Sequence, residues 1–506
     1  MKAHDVVIVG TGFAGLGMAI RLRQEGIEDF VVLEQADGVG GTWRANHYPG
    51  AACDIESYLY SFSFEPNPGW TRTFAPQREI LAYLEHCADK YGVRPHLRLG
   101  TAVTGATFDE RTALWTVETS RGETLVTRAL VSATGGLSRP ALPDIPGLAS
   151  FTGKTFHSAQ WDHGFPLEGK AVAVIGTGAS AIQIVPAIAP KVARLHLFQR
   201  TPPWIVPKPD VDILPATQDR MRRVPALQQA VRSAQYLRHE LFALGFVVDP
   251  RILALASRVV LRYLAASVPD RALREKLTPR YAMGCKRILL SNDYYPALQR
   301  PNVELVTEGI AEVRPGGILT TDGREHAVDA IVLATGFHAA EAAAPFPVRG
   351  RAGRDLGTTW RDGAEAYLGT TISGFPNLFL IVGPNTGLGH SSMVFMIESQ
   401  IAYIASCLRT MRARKLALVD VRADAQARQN EHLHARLANT VWSSGCSSWY
   451  RTKSGKNTTL WPGFTFEYRL RTRRFDPADY EVVAESALAD PRPRGASLAD
   501  APVTPG

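Results

Sequence analysis

The chain is short of the features that mark several large protein classes. Cysteine is scarce: Cys53, Cys87, Cys285, Cys407 and Cys446 are the only five in 506 residues, and none forms C-x-x-C. A locally encoded zinc ribbon or redox disulfide is thereby excluded. The odd count at wide spacing predicts free thiols in a reducing compartment. No apolar run reaches the ~20 residues of a bilayer-crossing helix, so no membrane span is expected. Met1-Lys-Ala-His-Asp5 runs directly into an apolar stretch, with no room for a secretion signal, and a cytoplasmic location is expected. The net charge is +8, yet no Lys/Arg-rich block is interleaved with aromatics, which argues against a nucleic-acid partner. The densest basic run, residues 469–474, reads as a solvated face. No metal site is implied.

What the chain does have is size and a repeated plan. Its 506 residues suit two or three domains. Forty-five per cent hydrophobic and 21% charged residues are those of a globular protein with a large core. Val6-Val-Ile-Val9 is a strand pattern, followed by Gly10-Thr-Gly12-Phe-Ala-Gly15 and a helical run to Gln24. In that setting G-x-G-x-x-G is a dinucleotide fingerprint. Gly10 makes the tight turn, Gly12 admits a pyrophosphate and Gly15 lets the helix pack on the sheet. Glu34 ends the next strand nineteen residues after Gly15, placed to accept from a ribose hydroxyl.

The plan repeats at Ala171-Val-Ala-Val-Ile175, Gly176-Thr-Gly178-Ala-Ser180-Ala181 and a helix carrying Gln183. Here the residue nineteen positions on is Arg200, beside Thr201. An arginine in place of the acid accommodates a 2′-phosphate, so the second unit is expected to take NADPH and the first FAD. Both units close on similar strings, Leu130-Val-Ser-Ala-Thr134-Gly135 and Ile331-Val-Leu-Ala-Thr335-Gly336. The expected fold is α/β, with two Rossmann-like dinucleotide-binding domains and a helical insertion. The FAD domain is assigned to 1–147 and 337–485, and the NADP domain to 148–208 and 284–336. The insertion, 209–283, has helical periodicity at 227–242 and 252–265 and is expected to roof a substrate pocket. A small β insertion is expected near 93–118, and a disordered tail at 486–506.

Between the two units lies Phe151-Thr-Gly-Lys-Thr-Phe-His157-Ser-Ala-Gln-Trp161-Asp162, which reads F-x-G-x3-H-x3-W-D and has the content of a linker. A second string, Gly41-Thr42-Trp43 through Tyr48-Pro49-Gly50 to Asp54, reads G-x-W-x4-Y-P-G-x3-D. Both resemble the fingerprints of the Baeyer–Villiger monooxygenases, and the likeness runs from Gly10 to about Tyr480. It implies FAD and NADPH as cofactors, O2 and a ketone as substrates, and an ester or lactone as product, formed through a C4a-peroxyflavin. By the same resemblance Arg287, in Cys285-Lys286-Arg287, is the catalytic cation. Asp54 steadies it, Lys286 helps hold the 2′-phosphate, and Tyr60 meets the flavin. Trp43 and Tyr48 offer flat surface along the isoalloxazine ring. Thr42, Val103, Thr134, Ser180, Gln183 and Asn385 complete the candidate cofactor set. His157 and Trp161 coordinate domain movement and are not catalytic. His390 is a loop or capping residue. The aromatic block at 442–475, with Trp449, Tyr450 and Trp461, walls the pocket or packs the FAD domain. That block departs from the cyclic-ketone members, so substrate range does not carry over. The runner-up is a flavin monooxygenase acting on nitrogen or sulfur, ahead of a nonenzymatic FAD redox sensor. A disulfide reductase is disfavoured by the missing C-x-x-C.

Overall fold

The computed structural model describes residues 2–338, 344–446, 448, 450–452 and 454–488. Trp449 and most of the expected tail lie outside the described residues; the tail's first positions belong to a short helix, Glu485–Leu488.

Val6-Val-Ile-Val9 has no polar face, which suits a strand covered on both sides. It is the buried end of β1 (His4–Val9). α1 (Phe13–Gln24) follows, and β2 (Phe30–Leu33) returns parallel to β1. β3 (Leu97–Arg98) extends this edge. β4 (Val103–Asp109), β5 (Leu114–Thr119) and β6 (Thr124–Ser132) form an antiparallel meander, and β6 closes back beside β1. The expected small β insertion therefore continues the main sheet. Alternation in β5 turns Trp115 and Val117 inward, and Trp115 Nε1 donates to the Pro376 carbonyl at 2.8 Å.

The segment expected to be a linker is not a free loop. Its centre is β7 (Lys154–His157), an edge strand of the second sheet. β8 (Ala171–Ile175), α2 (Ala181–Ile188) and β9 (Arg194–Phe198) repeat the first strand–helix–strand unit. The insertion then supplies α3 (Pro215–Arg223), α4 (Pro225–Ala243), α5 (Arg251–Ser267) and α6 (Arg271–Lys276). β10 (Val303–Val306) and β11 (Ala330–Leu333) complete a sheet of order β10-β9-β8-β11-β7, parallel throughout. The chain then returns to the first sheet. β12 (Val348–Arg349) joins β4, β13 (Leu378–Leu380) joins β6, and α7 (Met393–Arg414) packs against α1.

α4 packs Leu227, Val231 and Tyr236 on the core, but much of its buried face is polar. It buries Gln228, Arg232, His239 and Glu240 and exposes Leu237, Leu241 and Phe242. The reason is its neighbour, a loop rich in unpaired carbonyls that require donors. Arg232 donates to the Tyr58 and Ser61 carbonyls at 2.7 and 3.0 Å, and Gln228 to the Asn67 carbonyl at 2.9 Å.

Candidate active site between the two glycine loops

The two glycine loops open on one cavity of about 1640 Å³. A site for a single small ligand is roughly 300–1000 Å³, so this one has room for two cofactors and a substrate. Gly10 and Gly176 occupy matching places, each with positive φ, +103° and +112°. A Cβ on Gly10 would stand 2.6 Å from the Ala133 oxygen, and one on Gly176 2.4 Å from that of Ala334. Only glycine lets each turn run this close to the next strand end. A Cβ on Gly178, by contrast, would meet nothing within 4 Å. α1 and α2 begin at these loops, presenting helix-start N–H groups to anionic ligands. The cradles thus fit dinucleotides.

Gly10, Gly12, Glu34, Thr42, Trp43, Asp54, Tyr60, Val103 and Thr134 line the cavity on the side of the first unit. Gly176, Gly178, Ser180, Gln183, Arg200, Thr201, Lys286 and Arg287 line it on the side of the second. Gly15 does not line it. A Cβ there would lie 1.8 Å from the Gly10 oxygen, so its role is the close helix–turn packing expected of the third glycine. Asn385 is a correction to the expected cofactor set. It is buried off the cavity, donating from its side chain to the Asn457 and Leu460 carbonyls, and it staples two loops together.

Glu34 is buried with its carboxylate already accepting from Thr11 N and Oγ and from Ala36 N, so it shapes the loop as well as facing the cavity. Trp43 Nε1 donates to the Tyr60 hydroxyl at 3.1 Å, with the rings edge-to-face. Tyr48 also lines the cavity, and its hydroxyl donates to Gln183 Oε1 at 2.9 Å. Gln183 Nε2 in turn donates to the Ala52 carbonyl at 3.0 Å. A Cβ on Gly50 would come within 2.6 Å of the Gln183 carbonyl oxygen. The Tyr-Pro-Gly string is therefore the seat on which α2 of the second unit docks.

Arg287 is the centre of the site. Its Nε and Nη2 both donate to Asp54 Oδ2, at 2.9 and 2.6 Å, and Nη1 donates to the Leu388 carbonyl at 3.2 Å. Burial is the largest single influence and opposes its charge, but Asp54, Tyr450 and Cys53 together outweigh burial and hold the guanidinium above its ordinary pKa. Three of its five N–H groups are committed and two remain. Tyr450 also lines the cavity. Burial, helped by the Asp54 charge and opposed by that of Arg287, pushes its phenol up to about 12. Nearby, Lys286 is pulled below its ordinary value, first by burial and then by the charge of Arg200. No carboxylate pairs with either cation among the described residues. Two cations sharing one end of a dinucleotide cradle suit a phosphate dianion.

His157 Nε2 donates to the Gly336 carbonyl at 3.0 Å, while Nδ1 accepts from Ala159 N at 3.1 Å. Gly336 lines the cavity, so the edge strand holds one wall of the site. Trp161 is buried against Phe156. His157→Ala leaves the Gly336 carbonyl without its donor, a loss of about 1 kcal/mol. It is expected to slow turnover several-fold while FAD stays bound, read by steady-state rates and flavin content. Unchanged rate and coupling in both His157→Ala and Trp161→Ala would reduce the segment to packing.

Other expectations are revised. Cys285 and Cys446 form a disulfide, spanning 161 positions and joining the Lys286-Arg287 segment to the C-terminal loop, so only Cys53, Cys87 and Cys407 are free and buried. The insertion does not roof the cavity with its helices: of its residues only Tyr281 lines the space. His390 is buried, and burial first, then the charges of His239 and Arg287, take its imidazole down to about 3, leaving it neutral. His196, Glu304 and His326 stand close enough to share an ion, but Glu304 already accepts from Arg324 and Arg194, and the group is accounted for as an ion-pair cluster. Among the described residues no helix is long and apolar enough to cross a membrane.

Two dinucleotide cradles opening on one cavity, with an arginine–carboxylate pair between them, define a two-cofactor oxidoreductase. Comparison with known proteins narrows this. A model of the pyridine nucleotide-disulphide oxidoreductase family matches residues 7–236. A Baeyer-Villiger monooxygenase of Pseudomonas aeruginosa is 53% identical over 486 residues, covering 96% of this chain and 92% of the relative. One from Streptomyces coelicolor is 51% identical over 499 residues, covering 98% and 95%. Among solved structures, an oxidised steroid monooxygenase bound to NADP matches at TM-score 0.85 and 34% identity, covering 95% of this chain and 100% of that one. Cyclohexanone monooxygenase from Rhodococcus sp. Phi1, bound to NADP+, matches at 0.86 and 30%, covering 96% and 99%. The chain belongs to the Baeyer–Villiger monooxygenases.

Proposed function

We propose that the chain binds FAD at the Gly10 loop and NADPH at the Gly176 loop and uses O2 to convert ketones to esters or lactones, with Arg287 as the catalytic cation. The observation that carries this is the Arg287–Asp54 pair in the cavity that both glycine loops share. When bound, the two cofactors supply hydride transfer and oxygen activation. This chain's residues supply the rest. Glu34 and the first loop hold one dinucleotide; Arg200, Thr201 and Lys286 grip the 2′-phosphate of the other. Arg287 keeps a permanent charge and two open N–H groups for the negative charge that develops on the substrate oxygens. Asp54 fixes the plane of the guanidinium and keeps it charged. Leu388, Met393, Ile397 and Leu460 give the cavity apolar wall that excludes water around the ketone. A cytoplasmic setting belongs to the same reading, and the Cys285–Cys446 disulfide is the observation that stands against it.

The test is a product assay with holoenzyme, NADPH and air, on parallel panels of ketones and thioethers. Esters or lactones from the ketones, one per NADPH, are the expected result. Sulfoxides without any ester would move the chain to nitrogen or sulfur oxygenation.

A further inference from the structure

Arg287 has two acceptors, and they lie on two different loops. Asp54 belongs to the loop before Tyr60, and Leu388 to the loop before α7. In each loop the residue two positions beyond the acceptor is tied to the same side chain. His239 Nε2 lies 2.7 Å from Glu56 Oε2, and His239 Nδ1 lies 2.6 Å from the His390 carbonyl oxygen. Glu56 also pairs with Arg238, the neighbour of His239 on α4. Its backbone carbonyl accepts from Leu59 N and Tyr60 N, both at 2.9 Å, so the loop that carries Asp54 runs directly into the expected flavin contact. Glu56, His239 and His390 are all buried.

We infer that His239 and Glu56 are positioning residues, a bracket from the helical insertion that holds the two loops at the spacing the Arg287 fork requires. This rests on the assignment of Arg287 as the catalytic cation. Along α4, Leu227, Val231 and Tyr236 pack on the core, but the turn that carries His239 and Glu240 is buried with polar side chains while Leu237 and Leu241 face outward. Ordering buried polar groups has a desolvation cost, offset only when each finds its partner. Here the partners are the loops themselves. The imidazole faces a carbonyl on one side, so Nδ1 carries a hydrogen. On the other side it faces a carboxylate, so a second hydrogen is shared between Nε2 and Glu56. Removal of either side chain frees one loop from the other. Asp54 and the Leu388 carbonyl then no longer converge, and the guanidinium swings from its place. A shift of about 1 Å at such a centre changes rates by on the order of a hundredfold.

The experiment uses full-length holoenzyme and a ketone that the wild type converts. His239→Ala and Glu56→Ala are expected to keep FAD and to be reduced by NADPH anaerobically within about threefold of wild type, because hydride transfer depends on ring orientation. Ester formed per NADPH should fall about tenfold, with the balance recovered as hydrogen peroxide. Glu56→Gln should retain most of the coupling, since its amide donates to Nε2 and preserves the bridge without the charge. Full coupling in His239→Ala overturns the bracket. If His239→Ala loses FAD, the two Glu56 variants decide: equal coupling in Glu56→Ala and Glu56→Gln overturns it, and uncoupling in the alanine variant alone supports it. Arg287→Ala is run alongside. Ester from that variant would remove the parent assignment and the bracket with it, whereas no ester from it and full coupling in His239→Ala removes the bracket alone.

Discussion

Arg287→Ala is expected to make no ester while it still binds FAD and still oxidises NADPH, with the electrons appearing as hydrogen peroxide. A fixed cation matters most once negative charge has gathered on oxygen, and preorganised donors of this kind are worth about 3–4 kcal/mol each. Hydride transfer needs that charge less, being set by the alignment of two rings. Arg287→Lys should restore little. The guanidinium holds one carboxylate oxygen with two N–H groups while a third reaches the Leu388 carbonyl, and a single ammonium on a flexible stem cannot reproduce that fork. The measurement is anaerobic reduction by stopped flow, followed by ester and peroxide assays in air. An alanine variant that still turns a good ketone into its ester at near wild-type rate would make Arg287 structural.

Coenzyme choice is the second large effect. Arg200→Ala should raise KM for NADPH by roughly tenfold to a hundredfold and barely move that for NADH, because a charge-assisted hydrogen bond is worth about 1.5–3 kcal/mol. The structure adds a reason absent from spacing alone. Lys286 is already depressed by burial and by Arg200, so the free enzyme holds two cations in mutual repulsion. A phosphate dianion between them relieves this; the bare hydroxyl of NADH does not. Steady-state kcat/KM with both coenzymes is the check, and equal efficiency of the wild type with each would remove the 2′-phosphate assignment.

The parts of this site that were legible beforehand share one property: their signal is local. A strand, a G-x-G-x-x-G turn and a helix occupy about twenty consecutive residues, and the acid or arginine that chooses the coenzyme follows at a set interval. Gly10, Glu34, Gly176 and Arg200 all line the cavity. The Arg287–Asp54 pair spans 233 positions and was legible only through family resemblance. Misreadings arose where a local signal had two outcomes. Tyr48-Pro49-Gly50 has the composition of a cofactor wall, and Tyr48 does line the cavity, but the close approach of the Gln183 backbone to Gly50 makes the string a domain seat as well. The aromatic fingerprint has the composition of a linker, but four of its residues pair with a parallel strand from residue 330 onward.

By itself the sequence determined the two dinucleotide units, their order, and the charge placed at each ribose end, because strand–turn–helix geometry and glycine sterics act over a few residues. Only the tertiary structure decided which face of α4 turns inward. Helical periodicity marks the stripe of Arg232, His239 and Glu240 as polar and the stripe of Leu237 and Leu241 as apolar, and the usual rule would bury the second. At these positions the opposite holds because this part of α4 lies over loop carbonyls and a buried carboxylate, and those groups are brought to it from positions more than 150 residues away. The Cys285–Cys446 link has the same origin: two thiols 161 positions apart become neighbours only when the second unit and the C-terminal loop close over one cavity.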